Sequence, residues 1–238
     1  MQQVPSQPLP SRGHRSAARI RLDETVANIE LTLISIVQGL ALGVLAGAAI
    51  DPIVGLQWQA WPYIATGLVL ILIFWSRALL HTLSFIGWPL EFGHTFLYFA
   101  STLIEAAALT QVATPAHWYA LNALYAACVW CLYAWDLRLV RQQAGDFRTP
   151  GERALLADIL ADQRLNIRWM IPATVAFQAL CWWLVLRYPE AMLERGWHLL
   201  AIGLSLAFSL HYLHGGMRML RRRQDWIVER HAQERAEA

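Results

Sequence analysis

The sequence predicts an all-α polytopic membrane protein with six transmembrane helices and both termini cytoplasmic. Six apolar stretches carry that reading: Leu31–Ile50, Pro52–Ser76, Phe92–Leu109, Ala116–Trp135, Trp169–Leu186 and Gly196–Met217. Each is close to the roughly 20 residues that cross a bilayer as a helix. The 238-residue chain is 57% hydrophobic and 15% charged, too few charges for a soluble domain wrapped around six such helices. Arginine, the only strong base because lysine is absent, falls on alternate connections. Arg12, Arg15, Arg19 and Arg21 precede the first stretch. Arg138, Arg141, Arg148, Arg153, Arg164 and Arg168 lie between the fourth and fifth. Arg218, Arg221, Arg222, Arg223, Arg230 and Arg235 follow the sixth. Arginine excess marks the cytoplasmic side, and an even number of spans returns the chain to it. Arg187 and Arg195 in the last outer loop are accompanied by Glu190 and Glu194. The expected location is a bacterial inner membrane.

Taken in order, residues 1–22 read as a disordered basic cytoplasmic arm, rich in Pro, Ser, Gln and Arg with no apolar period. Residues 23–220 form the bundle, and 221–238 a charged cytoplasmic helical tail. No cleavable signal is expected. In the first span Asn28, Thr32, Ser35, Gly39, Gly43 and Gly47 recur at three- and four-residue steps, so they share one face. The glycines are expected to pack against another helix, within or between subunits. The polar half of the stripe, with Gln38 beside it, is the candidate lining of a path. Asp51-Pro52 and Gly55 predict the first outer turn. The second span runs inward through Arg77 and His81, and Gly87-Trp88-Pro89 breaks it. Thr114-Pro115 ends the third span. Trp58, Trp61, Trp118 and Trp197 fall at the outer ends, Trp88, Trp135 and Trp169 at the inner ones, where indoles favour the headgroup level.

Within the cytoplasmic connection 136–168, Thr149-Pro150-Gly151-Glu152 forms a capping box with proline at the first helical position. Leu155, Leu156, Ile159, Leu160 and Ile167 then oppose Arg153, Asp158, Asp162 and Arg164. An amphipathic helix is expected, on the inner membrane surface or against the bundle. Residues 149–167 or the basic tail are the candidate protein-partner surface.

Ionisable groups in lipid cost about 2.5–3.5 kcal/mol each on insertion scales, so they invite a functional reading. Glu105 is the deepest, and no cation lies at its depth. Arg77 is expected to pair with Glu91 on the neighbouring helix. His81, His94, His211 and His214 cluster at the inner half as pH-sensing or ligand candidates. Cys128, Cys131 and Cys181 all fall within spans and read as small apolar fillers. The chain lacks a phosphate loop, G-x-G-x-x-G, H-E-x-x-H or a serine-nucleophile motif. No metal, cofactor, nucleic-acid partner or enzymatic activity is expected.

Arg21 before the first span, Glu30-Leu31-Thr32-Leu33-Ile34, Phe74-Trp75 and Leu124-Tyr125 resemble the small six-helix potassium channels of lysosomes and bacteria. Thr25-Val26-Ala27 stands where that family carries Phe-Ser-Asp after an arginine. The leading expectation is a small oligomeric channel or permease for an ion or proton, using Asn28, Thr32, Ser35, Gln38 and Glu105. A non-transporting membrane scaffold is the alternative, and a haem- or metal-binding membrane protein the third reading. Lipid bilayer and a second copy of the chain are the expected partners.

Overall fold

Long apolar runs with few internal breakers should give long helices, and they do. The computed structural model describes residues 17–84, 92–147 and 149–236. It consists of α1 (Ala17–Val54), α2 (Trp61–Ser84), α3 (Phe92–Leu109), α4 (Pro115–Gln143), α5 (Pro150–Leu165), α6 (Ile171–Arg187) and α7 (Trp197–Ala236). No strand occurs among the described residues. Among the described residues, five helical stretches are long and apolar enough to cross a membrane: Leu31–Val54, Trp58–Thr82, Pro115–Gln142, Pro150–Arg187 and Trp197–Arg221. The shorter α3, with His94 and Glu105 in it, is not one of the five. Much of the outer surface is apolar, with Ile36, Leu40, Leu103 and Leu186 exposed, as lipid-facing helices require.

The helices form a ring. Broad seams join α1 to α2, α2 to α7, α6 to α4, α4 to α3 and α3 to α1. The closing pair, α6 and α7, meets only sparingly. At one end the ring is plugged by aromatic side chains. The Tyr63 hydroxyl lies 2.8 Å from His198 Nδ1, and the Tyr119 hydroxyl donates to the His198 carbonyl at 3.0 Å. Trp118 stands edge-on to Tyr63 and is fully buried. Trp118 therefore departs from the expected headgroup position, because the turn before α4 aims its first residues into the bundle. Trp58, Trp61 and Trp197 remain exposed.

Three boundaries differ from the sequence expectation. Helix α1 already begins at Ala17, inside the segment expected to be disordered. It also runs past Asp51-Pro52 to Val54, so Pro52 lies inside the last turn of the helix and does not end it. The turn falls at 55–57, where Leu56 adopts φ 50° and is largely exposed. A non-glycine residue there costs about 1–2 kcal/mol. Leu56→Gly is therefore expected to raise the unfolding temperature in detergent, offsetting the greater entropy of its unfolded chain. An unchanged or lower temperature would show the conformation to be unstrained.

The third difference positions the site. Helix α5 carries the expected capping box: the Thr149 side chain accepts from the Glu152 amide, and the Glu152 carboxylate from the Thr149 amide. However, α5 does not end before the fifth apolar stretch. It continues into α6 through one wide turn at Asn166–Met170, closed by the Ile171 amide donating to the Asn166 carbonyl. Pro172 explains this turn. It has no N–H for the carbonyl four residues back, and its ring crowds that carbonyl. The wide turn displaces the clash and frees the Ile167 carbonyl, which accepts from Trp130 Nε1 at 3.0 Å. Leu155 and Ile159 pack on Leu139, Val140 and Phe147 beyond the end of the bundle, so this face of α5 is buried in protein.

Candidate functional site

Inside the ring lies a chamber of about 590 Å³. Its middle is apolar, walled by Leu70, Ile73, Phe74, Val129, Phe177 and Phe208. A cluster of ionisable groups closes the end opposite the aromatic plug. Arg77 Nη1 donates to Asp162 Oδ2 at 2.8 Å, and both side chains are nearly buried. Asn166 Nδ2 donates to the Asp162 carbonyl and to Asp162 Oδ1. The Tyr212 hydroxyl donates to Asn166 Oδ1 at 2.6 Å, and the Arg77 guanidinium lies 4.5 Å from the centre of the Tyr212 ring. Beside this group, Asp136 stands between two imidazoles: His81 Nε2 at 3.3 Å and His94 Nε2 at 3.0 Å. Gln163 Nε2 is 2.8 Å from His81 Nε2. Gly93 permits this approach, since a Cβ there would sit 2.7 Å from the Trp135 ring carbon Cζ2. The neighbours Trp135 and Gly93 thus fix the depth at which His94 meets Asp136.

The cluster joins α2, α3, α4, α5 and α7, so sequence-distant segments supply one network. Buried ion pairs persist where several hydrogen bonds satisfy each charge. Asp162 has two donors in Arg77 and Asn166, whereas Asp136 Oδ1 is buried near His94 and accepts no hydrogen bond among the described residues. Further along the tail, Arg223 is buried and its Nε donates to Asp158 Oδ2. That bond fastens the start of the charged tail to α5. Toward the aromatic plug the chamber wall turns polar again, with Thr66, Asn122, Gln178 and Ser205. Gln178 Oε1 and Ser205 Oγ are buried and have no hydrogen-bond partner.

The residues singled out from sequence divide sharply. His81 and His94 belong to the cluster, whereas His211 and His214 are exposed on the outer face of α7. Arg77 pairs with Asp162; the expected partner Glu91 lies outside the described residues. Asp162 was expected on a solvated face. It is drawn inward because α5 runs straight on into the bundle. Asn28, Thr32 and Ser35 are exposed on the outside of the ring and do not line the chamber. The hydroxyls of Thr32 and Ser35 bond to carbonyls one turn back in their own helix. Gly39, Gly43 and Gly47 have open space on their outer side. Gln38 and Glu105 face one another between α1 and α3, and both are buried. Glu105 stands near Tyr125 behind the chamber wall and is not part of its lining.

Sequence reasoning missed Asp136, Asp162, Asn166, Tyr212, Gln178 and Ser205 as site residues. One signal was present: Asp158, Asp162 and Asn166 follow at four-residue steps, a polar row along one helix face. Among the described residues, no group of three or more His, Cys, Asp or Glu is arranged to hold a metal ion. Cys128, Cys131 and Cys181 are free thiols. Comparison with known protein families, curated proteins and solved structures finds no match to this chain.

Proposed function

We propose that the chain is a six-span membrane permease that carries a small solute through the internal chamber. The chamber carries the reading. Its volume lies in the range of small-molecule sites, roughly 300–1,000 Å³. Buried polar atoms without protein partners, such as Gln178 Oε1 and Ser205 Oγ on its wall, are ordinarily satisfied by a ligand or water. The apolar belt disfavours an open ion channel, because Phe74, Phe177 and Phe208 offer a bare ion no replacement for its hydration shell. The arginine asymmetry supports a cytoplasmic orientation for the Arg77 end of the chamber.

The test is aqueous access to the chamber. Cys128, Cys131 and Cys181 are first replaced by serine, and Ser209→Cys is introduced on the wall. A permease exposes that thiol to a small water-soluble thiosulfonate from at least one side of a proteoliposome. A thiol that resists the reagent from both sides would point to a sealed scaffold.

The outward glycine stripe favours an added role for α1 as a contact between copies of the chain. Small residues allow close backbone approach where lipid supplies no hydrophobic drive. A Cβ at Gly43 meets nothing within 4 Å in the protomer and the residue is exposed, so Gly43→Leu is expected to leave thermal unfolding unchanged. Crosslinking in native membranes is expected to lose the dimer band. A persisting band would remove the stripe from the interface.

A further inference from the structure

Resting on the permease reading, we propose that the solute is a single-chain amphiphile with an acidic head, carboxylate or phosphate, seated against Arg77. The donor inventory at that end of the chamber leads there. Arginine has five N–H donors in a planar fork suited to carboxylate and phosphate. Among the described residues, Arg77 uses Nη1 on Asp162, and its ring-like face rests on Tyr212. The rest of the fork belongs to a side chain that lines the chamber.

Of the two carboxylates at the same end, Asp162 is already engaged by Arg77 and Asn166. Asp136 lies between His81 and His94, and its buried Oδ1, 3.0 Å from His94 Nε2, accepts no hydrogen bond among the described residues. A cationic head therefore has only Asp136 to meet, and that carboxylate is flanked by two imidazoles. A head that brings its own oxygens matches the unused donors.

The body of the solute is set by the wall. From Arg77 to Thr66 on α2 the chamber spans eleven residues, about 17 Å at a helical rise. Between those ends the side chains are Leu70, Ile73 and Phe74 on α2, with Phe177 and Phe208 facing them. An extended alkyl chain fits this length and chemistry. Such a molecule resides in the lipid, and the sparse α6–α7 seam gives it a lateral way in. Leu204 and Phe208 of α7 line the chamber and yet are exposed.

The experiment is native mass spectrometry of the full chain released from a neutral detergent, with dodecanoate, dodecyl phosphate, dodecanol or dodecyltrimethylammonium added singly. Acidic heads are expected to give at least about tenfold more one-to-one adduct than the alcohol or the ammonium. The ratio between dodecanoate and dodecyl phosphate distinguishes the two acids. Arg77→Gln is expected to abolish the preference, and Arg77→Lys to retain part of it because the charge remains without the fork. Equal adducts with all four probes, or more with the ammonium, would overturn the proposal on the native chain alone, whether or not the variants fold. An acid-selective chain whose Ser209→Cys thiol is unreachable keeps this inference and removes the permease. A reachable thiol with no selectivity for the head does the reverse.

Discussion

Asp162→Leu is expected to destabilise the protein by about 3–5 kcal/mol, the usual cost of stranding one partner of a buried ion pair. The Arg77 and Asp162 side chains are 13% and 9% exposed, so water replaces the lost carboxylate only in part. The substitution also takes one acceptor, Asp162 Oδ1, from Asn166, whose own oxygen holds Tyr212. Only the Asp162 backbone carbonyl remains to it. Adding Arg77→Leu should recover much of the loss, because an apolar pair of similar volume no longer needs to be solvated. Reversible unfolding in mixed micelles, treated as a double-mutant cycle, measures the coupling. A single variant as stable as the native chain would show that Arg77 reaches water or another anion, and the cluster would lose its central contact.

The second large effect is expected at Ala126, a buried residue of α4 on the chamber wall. In a packed core Ala→Phe overpacks and costs about 1–3 kcal/mol. Here the ring would enter about 590 Å³ of open space. Ala126→Phe is therefore expected to leave the unfolding temperature unchanged or raised, while reducing adduct formation with dodecanoate about tenfold or more. Thermal unfolding and native mass spectrometry on the same preparation separate the two readouts. A large drop in stability would mean that the wall at Ala126 is already closed. Unchanged adduct formation would place the bound amphiphile elsewhere.

These two experiments probe residues that the sequence treated very differently. Arg77 stood out at once, because an arginine within an apolar run is costly anywhere. Its nearest candidate partner by chain position was Glu91. The partner seen among the described residues is eighty-five positions away, and its selection depends on how α5 leaves the membrane region. The capping box at Thr149 was legible because all of its contacts lie within four residues. The continuation of α5 into α6 was not. It arises from the accommodation of Pro172 by a wide turn, together with the Trp130 bond that satisfies the freed carbonyl. The stripe Asn28, Thr32, Ser35 illustrates the opposite limit. Periodicity showed that these residues share a face, but a helix has two sides, and only the neighbours decide which of them is inside.

Local chemistry by itself determined the helical class, the long apolar stretches, the proline-marked helix starts and the placement of arginine, since each depends on side chains close together in the chain. The tertiary structure decided the ring order, the open chamber and the convergence of Arg77, His81, His94, Asp136, Asp162 and Tyr212 at one end of it. The physical reason is that apolar helices attract one another with little directional preference in lipid. Their order is selected by the few close approaches and buried polar bonds that only one arrangement satisfies.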